Sequence, residues 1–229
     1  QRQMCIRDSA INRPLLEAIK EATSRADKDH EIKLIVLRGA GKHFCTGLDL
    51  YEQWPVGVLE GLRHGIGPRE ALSECKKPVL ALVQGAAIGG GLEMALSADL
   101  VIAAPDAKLA SPEFPMLGGL PGAGATQRIT ALAGRMRAAL LCFTGQRLSG
   151  EEAAAMGLIS ETCPAGELEK RGEEISEHFA KASIEATMML KQLLRTGEGV
   201  DGGPGLQLER LMAYASSEGL TWPDQPKKA

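Results

Sequence analysis

The chain has 229 residues, 44% of them hydrophobic and 24% charged, with a formal net charge of −3, which fits one globular domain with a substantial core. The slightly acidic balance and 3% aromatic content provide no electrostatic or stacking basis for a nucleic-acid partner. No apolar run reaches the ~18–20 residues of a membrane-spanning helix, since the best one, "PVLALVQGAAIGGGLEMAL", carries Glu93 and four glycines.

The first nine residues, "QRQMCIRDS", show no clear period and are set aside from fold reasoning, either as a non-native leader or as a start inside a longer gene. From Ala10, "AINRPLLEAIKEATSRADKD" places Leu15, Leu16, Ile19 and Ala22 on one face of a helix with Pro14 near its start. "IKLIVLRG" is a short β-branched run stopped by glycine and predicts a buried strand. "AGKHFCTGLDL" is a glycine-punctuated loop, and the polar stretch after it holds one helix near Pro68 to Cys75. "KPVLALVQGAA" predicts a second buried strand with Pro78 at its start. A helix over "GGLEMALSA", a third strand over "DLVIAA" and a short fourth strand or strand edge at "AKLASPE" follow. "FPMLGGLPGAG" is expected to be loop, followed by helices over "ATQRITALAG" and "RMRAALLCFTG". "SGEEAAAMG" predicts a short helix with Ser149 as N-cap, "LISETCP" a final strand, and the remainder to about Ser217 amphipathic helix with a loop at "TGEGVDGGPG". Strands alternating with helices argue for an α/β fold with parallel pairing. The division is a leader at 1–9, an α/β core at 10–164 and a helical C-terminal region with its tail at 165–229.

The five cysteines, Cys5, Cys45, Cys75, Cys142 and Cys163, are odd in number and form no C-x-x-C pair, so free thiols in a reducing cytoplasm are expected. The four histidines show no i, i+4 pairing and no metal site is expected. A G-x-S-x-G nucleophile elbow is absent.

Three places carry chemistry. In "IGGGLEMA" consecutive glycines between a strand and a helix leave backbone N–H groups uncovered at a helix N-terminus, where developing negative charge is stabilised. Close strand–helix packing would explain the same glycines, and neither a G-x-G-x-x-G nor a P-loop spacing is present. In "FCTGLDL" a second loop after a strand offers the N–H of Leu48, while Asp49 caps the next turn or serves a ligand. In "SPEFPMLGGLPGAGATQR" Glu113 stands among Phe114, Pro115, Met116 and Leu117, either partly desolvated or on a surface turn.

Taken together, "GAGKHFCTGLDL", "KPVLALVQGAAIGGGLEMALSADLVIAA", "SPEFPMLGGLPGAGATQRI" and "FTGQRLSGEEAAAMGLI" resemble the enoyl-CoA hydratase/isomerase family, the crotonase superfamily. The resemblance runs from about Ala10 to Pro164 and more loosely to about Gly219. It implies a crotonase-like (ClpP/crotonase) α/β fold, a repeated β-β-α spiral with a helical C-terminal region that mediates trimers paired into hexamers. By the same resemblance the thioester oxygen of an acyl-CoA meets the backbone N–H groups of Leu48 and Gly90. Glu93 then activates water for attack at Cβ and Glu113 protonates Cα. Thr46, Leu48, Asp49, Leu50 and Tyr51, with Gly90, lie along the CoA-binding segment, and residues 53–74 shape the acyl pocket, with Trp54 and Ile66 pointing to an apolar substrate.

The implied activity is syn hydration of a 2-enoyl-CoA to a 3-hydroxyacyl-CoA in fatty or related acyl-CoA degradation, with coenzyme A as part of the substrate and no separate cofactor. The expected partner is an acyl-CoA thioester, with neither nucleic acid nor membrane. A Δ3-Δ2-enoyl-CoA isomerase is the alternative, and a non-catalytic acyl-CoA binder or an RNA-binding relative lies further off. Two departures from the family stand out. The leader replaces a strand hairpin, and "LTWPDQPKKA" replaces a basic, aromatic terminal segment, so that Lys227 and Lys228 either mimic its charge or lie in a solvated tail.

Overall fold

The computed structural model of the protein describes residues 4–6, 10–49 and 68–196. Strands β1 (Met4–Ile6), β2 (Ile35–Gly39), β3 (Val79–Val83), β5 (Leu100–Ala103) and β8 (Glu161–Thr162) form one parallel sheet in the order β1-β2-β3-β5-β8. A second sheet holds β4 (Ala86–Ile88), β6 (Lys108–Ala110) and β7 (Leu148–Ser149), with β4 and β6 parallel and β6 and β7 antiparallel. The helices are α1 (Arg13–Lys28), α2 (Pro68–Glu74), α3 (Gly90–Ala95), α4 (Glu113–Leu117), α5 (Ala125–Ala133), α6 (Arg135–Thr144), α7 (Gly150–Ala155), α8 (Leu168–Lys181) and α9 (Ile184–Thr196).

The chain winds as a repeated strand–strand–helix unit. β3, β4 and α3 make one turn, and β5, β6 and α4 make the next. Isolated bridges extend the second sheet backwards, Cys45 against Ala87 and Ile11 against Leu48. Each turn therefore lends one segment to each sheet and leaves the second sheet at the same end as its neighbours.

Local chemistry accounts for the elements. Asn12 caps α1 by accepting the Leu15 N–H at 2.9 Å, with Pro14 in the first turn, where its missing N–H costs nothing. Every residue of β3 is buried, as expected for a central parallel strand covered on both faces. One cover is α8, whose Gly172 lies so close that a Cβ there would meet Leu82 Cδ1 at 2.9 Å. A buried ion pair ties α9 to the sheet, with Lys191 Nζ 2.7 Å from Asp99 Oδ2 and donating to the Lys77 carbonyl at 2.8 Å. Burial pulls the Lys191 ammonium below its ordinary range and the Asp99 carboxylate opposes this. Ser149 and Glu152 form a reciprocal capping box at α7.

Three expectations are corrected. "KPVLALVQGAA" is two strands in different sheets, because the chain turns at Gly85, whose φ of +65° and approach to Lys42 O exclude a side chain. "FPMLGGLPGAG" begins in a helix, α4 running from Glu113 to Leu117 and ending at Gly118 in the left-handed region. One turn is too short to show a period, and Pro115 sits in the first turn, where it is tolerated. The last helical stretch is divided at Ala182, which is extended. Within the stretch set aside as a leader, Met4–Ile6 pairs with β2, Met4 opposite Leu37. Among the described residues no helix is long and apolar enough to cross a membrane.

Candidate active site

The site lies where three successive turns leave the second sheet. Cys45 bridges Ala87, its N–H donating to Ala86 O and its carbonyl accepting from Ile88 N–H, both at 2.9 Å. This pairing sets the loop through Leu48 beside the chain entering α3. Ile11 donates to Gly47 O at 2.7 Å and accepts from Asp49 N–H at 2.8 Å. In a parallel bridge that pattern turns the intervening Leu48 N–H to the opposite side. Gly90 opens α3, and the N–H of a first helical residue has no intrahelical acceptor. The point where a Cβ of Gly90 would sit is 3.8 Å from Leu48 N, so the two amides border one small space.

The glycines are explained by contact distances. Gly89 has φ of +55°, and a Cβ on Gly91 would lie 2.1 Å from Cys45 O. Close packing and, among the described residues, one amide without an intrahelical acceptor thus coexist in one tripeptide. Gly91 serves the packing, and Gly90 leaves room beside Leu48.

Glu93 faces inward from α3 and is 3% exposed. Its Oε1 accepts the N–H groups of Ala123 at 2.6 Å and Ala125 at 3.1 Å. Ala125 is the first residue of α5, so the carboxylate meets that helix at its positive end. Two main-chain donors on one oxygen match the acceptor capacity of a carboxylate. The loop that supplies them is itself held, since Arg128 Nη1 donates to Ala123 O at 3.1 Å.

Glu113 begins α4, three residues past the end of β6. The β4–β6 register sets Ile88 opposite Ala110, and Gly89 N–H donates to Ala110 O at 2.8 Å. The next residues of the two strands are therefore adjacent. Glu113 Oε1 lies 3.0 Å from where a Cβ of Gly89 would be, and Oε2 accepts the Ser111 hydroxyl at 2.7 Å.

Cys142 on α6 reports on both acids at once. Burial pushes its thiol upward, the Ser111 hydroxyl pulls it down, and the charges of Glu113 and Glu93 push it further up. Both carboxylates therefore act on a single side chain. Beside them a cavity of about 320 Å³ is lined by Phe114, Leu120, Pro121, Thr130, Cys142 and Phe143. Its rings pair edge to face, Phe114 and Phe143 having centroids 5.7 Å apart at 76°.

Of the residues named from the sequence, Thr46, Leu48, Asp49, Gly90, Glu93 and Glu113 are described, and the geometry brings Leu48, Gly90 and the two glutamates to one end of the second sheet. Leu50 and Tyr51 lie outside the described residues, as do Trp54 and Ile66. Sequence reasoning missed Ser111, Cys142 and the amides of Ala123 and Ala125. A hydroxyl two residues before a glutamate is a usable local signal. Cys142, which is 29 residues further on than Glu113 (142 − 113), has no counterpart signal.

The sequence profile described as enoyl-CoA hydratase/isomerase matches residues 6–215. A probable enoyl-CoA hydratase of Rhizobium meliloti is 33% identical over 203 residues, spanning 88% of this chain and 79% of that protein. A short-chain-enoyl-CoA hydratase of Clostridium acetobutylicum is 33% identical over 205 residues, spanning 88% and 78%. Among solved structures, an enoyl-CoA hydratase from Bacillus anthracis superposes with a TM-score of 0.84 at 33% identity, covering 92% of this chain and 83% of that one.

Proposed function

The chain belongs to the enoyl-CoA hydratase/isomerase family, and from that premise we propose that it is a hydratase adding water across the double bond of a 2-enoyl-CoA. The observation that carries this reading is the pair of carboxylates, Glu93 and Glu113, acting on one neighbourhood beside two open amides. In the hydration direction Glu93 removes a proton from water and the oxygen bonds to Cβ. The π electrons move toward the thioester oxygen, where the N–H groups of Leu48 and Gly90 bind the developing enolate better than the ground state. Glu113 then gives its proton to Cα, yielding the 3-hydroxyacyl thioester. Net uptake is one water, and transfer of one proton from Glu93 to Glu113 restores the pair.

The test is a turnover panel of crotonyl-, longer 2-enoyl- and cyclic dienoyl-CoA thioesters, followed by loss of the conjugated thioester absorbance, with a 3-enoyl-CoA included and followed by its gain. Hydration of at least one supports the reading. Conversion of 3-enoyl thioesters to 2-enoyl thioesters without hydration overturns it in favour of an isomerase. The self-associated state is proposed to be a trimer or a hexamer, supported by large apolar side chains left exposed on α4 and α6, including Met116, Leu117, Met136, Leu140 and Phe143. A monomer by sedimentation at micromolar concentration overturns that part alone.

A further inference from the structure

We infer that Ser111 is the positioning residue of the proton donor, holding Glu113 toward the substrate carbon in both of its protonation states; this rests on the hydratase reading above. Ser111 is fully buried at the end of β6. Among the described residues its hydroxyl is the one hydrogen-bond donor to the Glu113 carboxylate, at 2.7 Å. Pro112 between them stiffens the connection. The backbone of this corner is in turn fastened to the strand that leads to Gly90, through Gly89 N–H to Ala110 O.

The chemistry of the two partner sets differs in a way that matches the two roles. Glu93 is held by main-chain N–H groups, which can only donate and so match the acceptor-only carboxylate that a base needs at the start of the cycle. Glu113 must be an acid before it gives its proton to Cα and a carboxylate afterwards. A serine hydroxyl donates to the carboxylate and, after rotating, accepts from the acid. It can therefore keep the same side-chain orientation through the transfer, which a main-chain amide could not.

The experiment replaces Ser111 with alanine in the full chain. Because a small buried hydroxyl is removed without creating bulk, the melting temperature should stay within a few degrees of the parent. KM for crotonyl-CoA should remain within about twofold, while kcat falls by roughly 10- to 100-fold, the scale of a lost hydrogen bond to a charged group. Hydration in D2O supplies a readout that a merely structural role would not move. The parent should place deuterium on one face of Cα, and S111A should scramble it between faces. Parental kcat with single-face deuteration in S111A overturns the inference, as does a fall in kcat matched by the fall in melting temperature with selectivity intact. A parent chain that hydrates no enoyl thioester refutes the hydratase reading instead. The positioning is then decided by crystal structures of both proteins, supported if the Glu113 carboxylate leaves Gly89 only in S111A and overturned if it does not move.

Discussion

Adjacent glycines with different jobs should fail in opposite ways when each is replaced by alanine. At Gly90 a new methyl group would meet Ile11 Cδ1 at 3.1 Å and Leu48 Cγ and N at 3.8 Å. The closest neighbour is the end of a flexible side chain and can yield by a few tenths of an ångström. Alanine is also the better helix former by up to about 1 kcal/mol, so G90A should melt within a few degrees of the parent. The methyl group nevertheless occupies the space that a thioester oxygen would need at ~2.7–3.1 Å from both amides. Losing such a donor costs about 2.7–4 kcal/mol of transition-state stabilisation, or roughly 10²–10³ in kcat. At Gly91 the added carbon would sit 2.1 Å from Cys45 O and 2.7 Å from its carbonyl carbon. That oxygen is already bonded to Ile88 N–H at 2.9 Å, so the strand pair must part. Overpacking of about 1–3 kcal/mol and a lost hydrogen bond of about 1 kcal/mol give a melting temperature lower by roughly 5–15 °C. Circular dichroism melts and crotonyl-CoA turnover measured on the same preparations decide the matter. Turnover of G90A within threefold of the parent, or a G91A melt superimposable on it, would refute the reasoning.

Glu93→Gln keeps an oxygen that accepts both the Ala123 and Ala125 N–H groups, so the fold should survive while kcat drops by about 10²–10⁴, the worth of a general base; a variant that still hydrates at the parental rate removes Glu93 from the mechanism. Cys142, held above the ordinary thiol range by burial and then by the two acids, should alkylate slowly near pH 8, its thiolate growing only as pH rises. Either E93Q or E113Q should speed that labelling, measured by mass spectrometry, and no change in either variant would show that the acids do not share this neighbourhood. Ser149→Ala removes the hydroxyl of the α7 capping box and should lower the melting temperature by about 2–4 °C. The Ser149 backbone N–H and, after it, the Ser149 hydroxyl hold the Glu152 carboxyl below its usual range; S149A removes only the second, so that part of the parent's advantage is present above the unfolded-state value of Glu and should fade as pH falls through the folded one. An advantage that grows on acidification would contradict this.

Much of this protein is legible in its sequence, and the reasons are local. Pro14 marks the start of α1, Ser149 marks α7, and the unbroken apolar run of β3 announces a buried strand. The motifs around Gly90, Glu93 and Glu113 were also readable, because glycine and carboxylate are costly where folding alone does not require them. Elements of one turn or less were not. α4, with Pro115 inside it, and the two-residue β7 carry too few residues for a period, and β3 with β4 looked like one strand because both are apolar.

What the amino-acid sequence determined by itself was the set of groups: two glutamates, open glycines and the strand–helix alternation that brings them round in order. Tertiary structure alone decided which partners those groups acquire. The Ala123 and Ala125 amides reach Glu93 across 30 and 32 residues, and Cys142 comes to lie by both acids. Such contacts depend on the register between successive turns of the coil, here Cys45 against Ala87 and Ile88 against Ala110. Register is set by long-range packing and main-chain pairing, to which no short stretch of side chains holds the key.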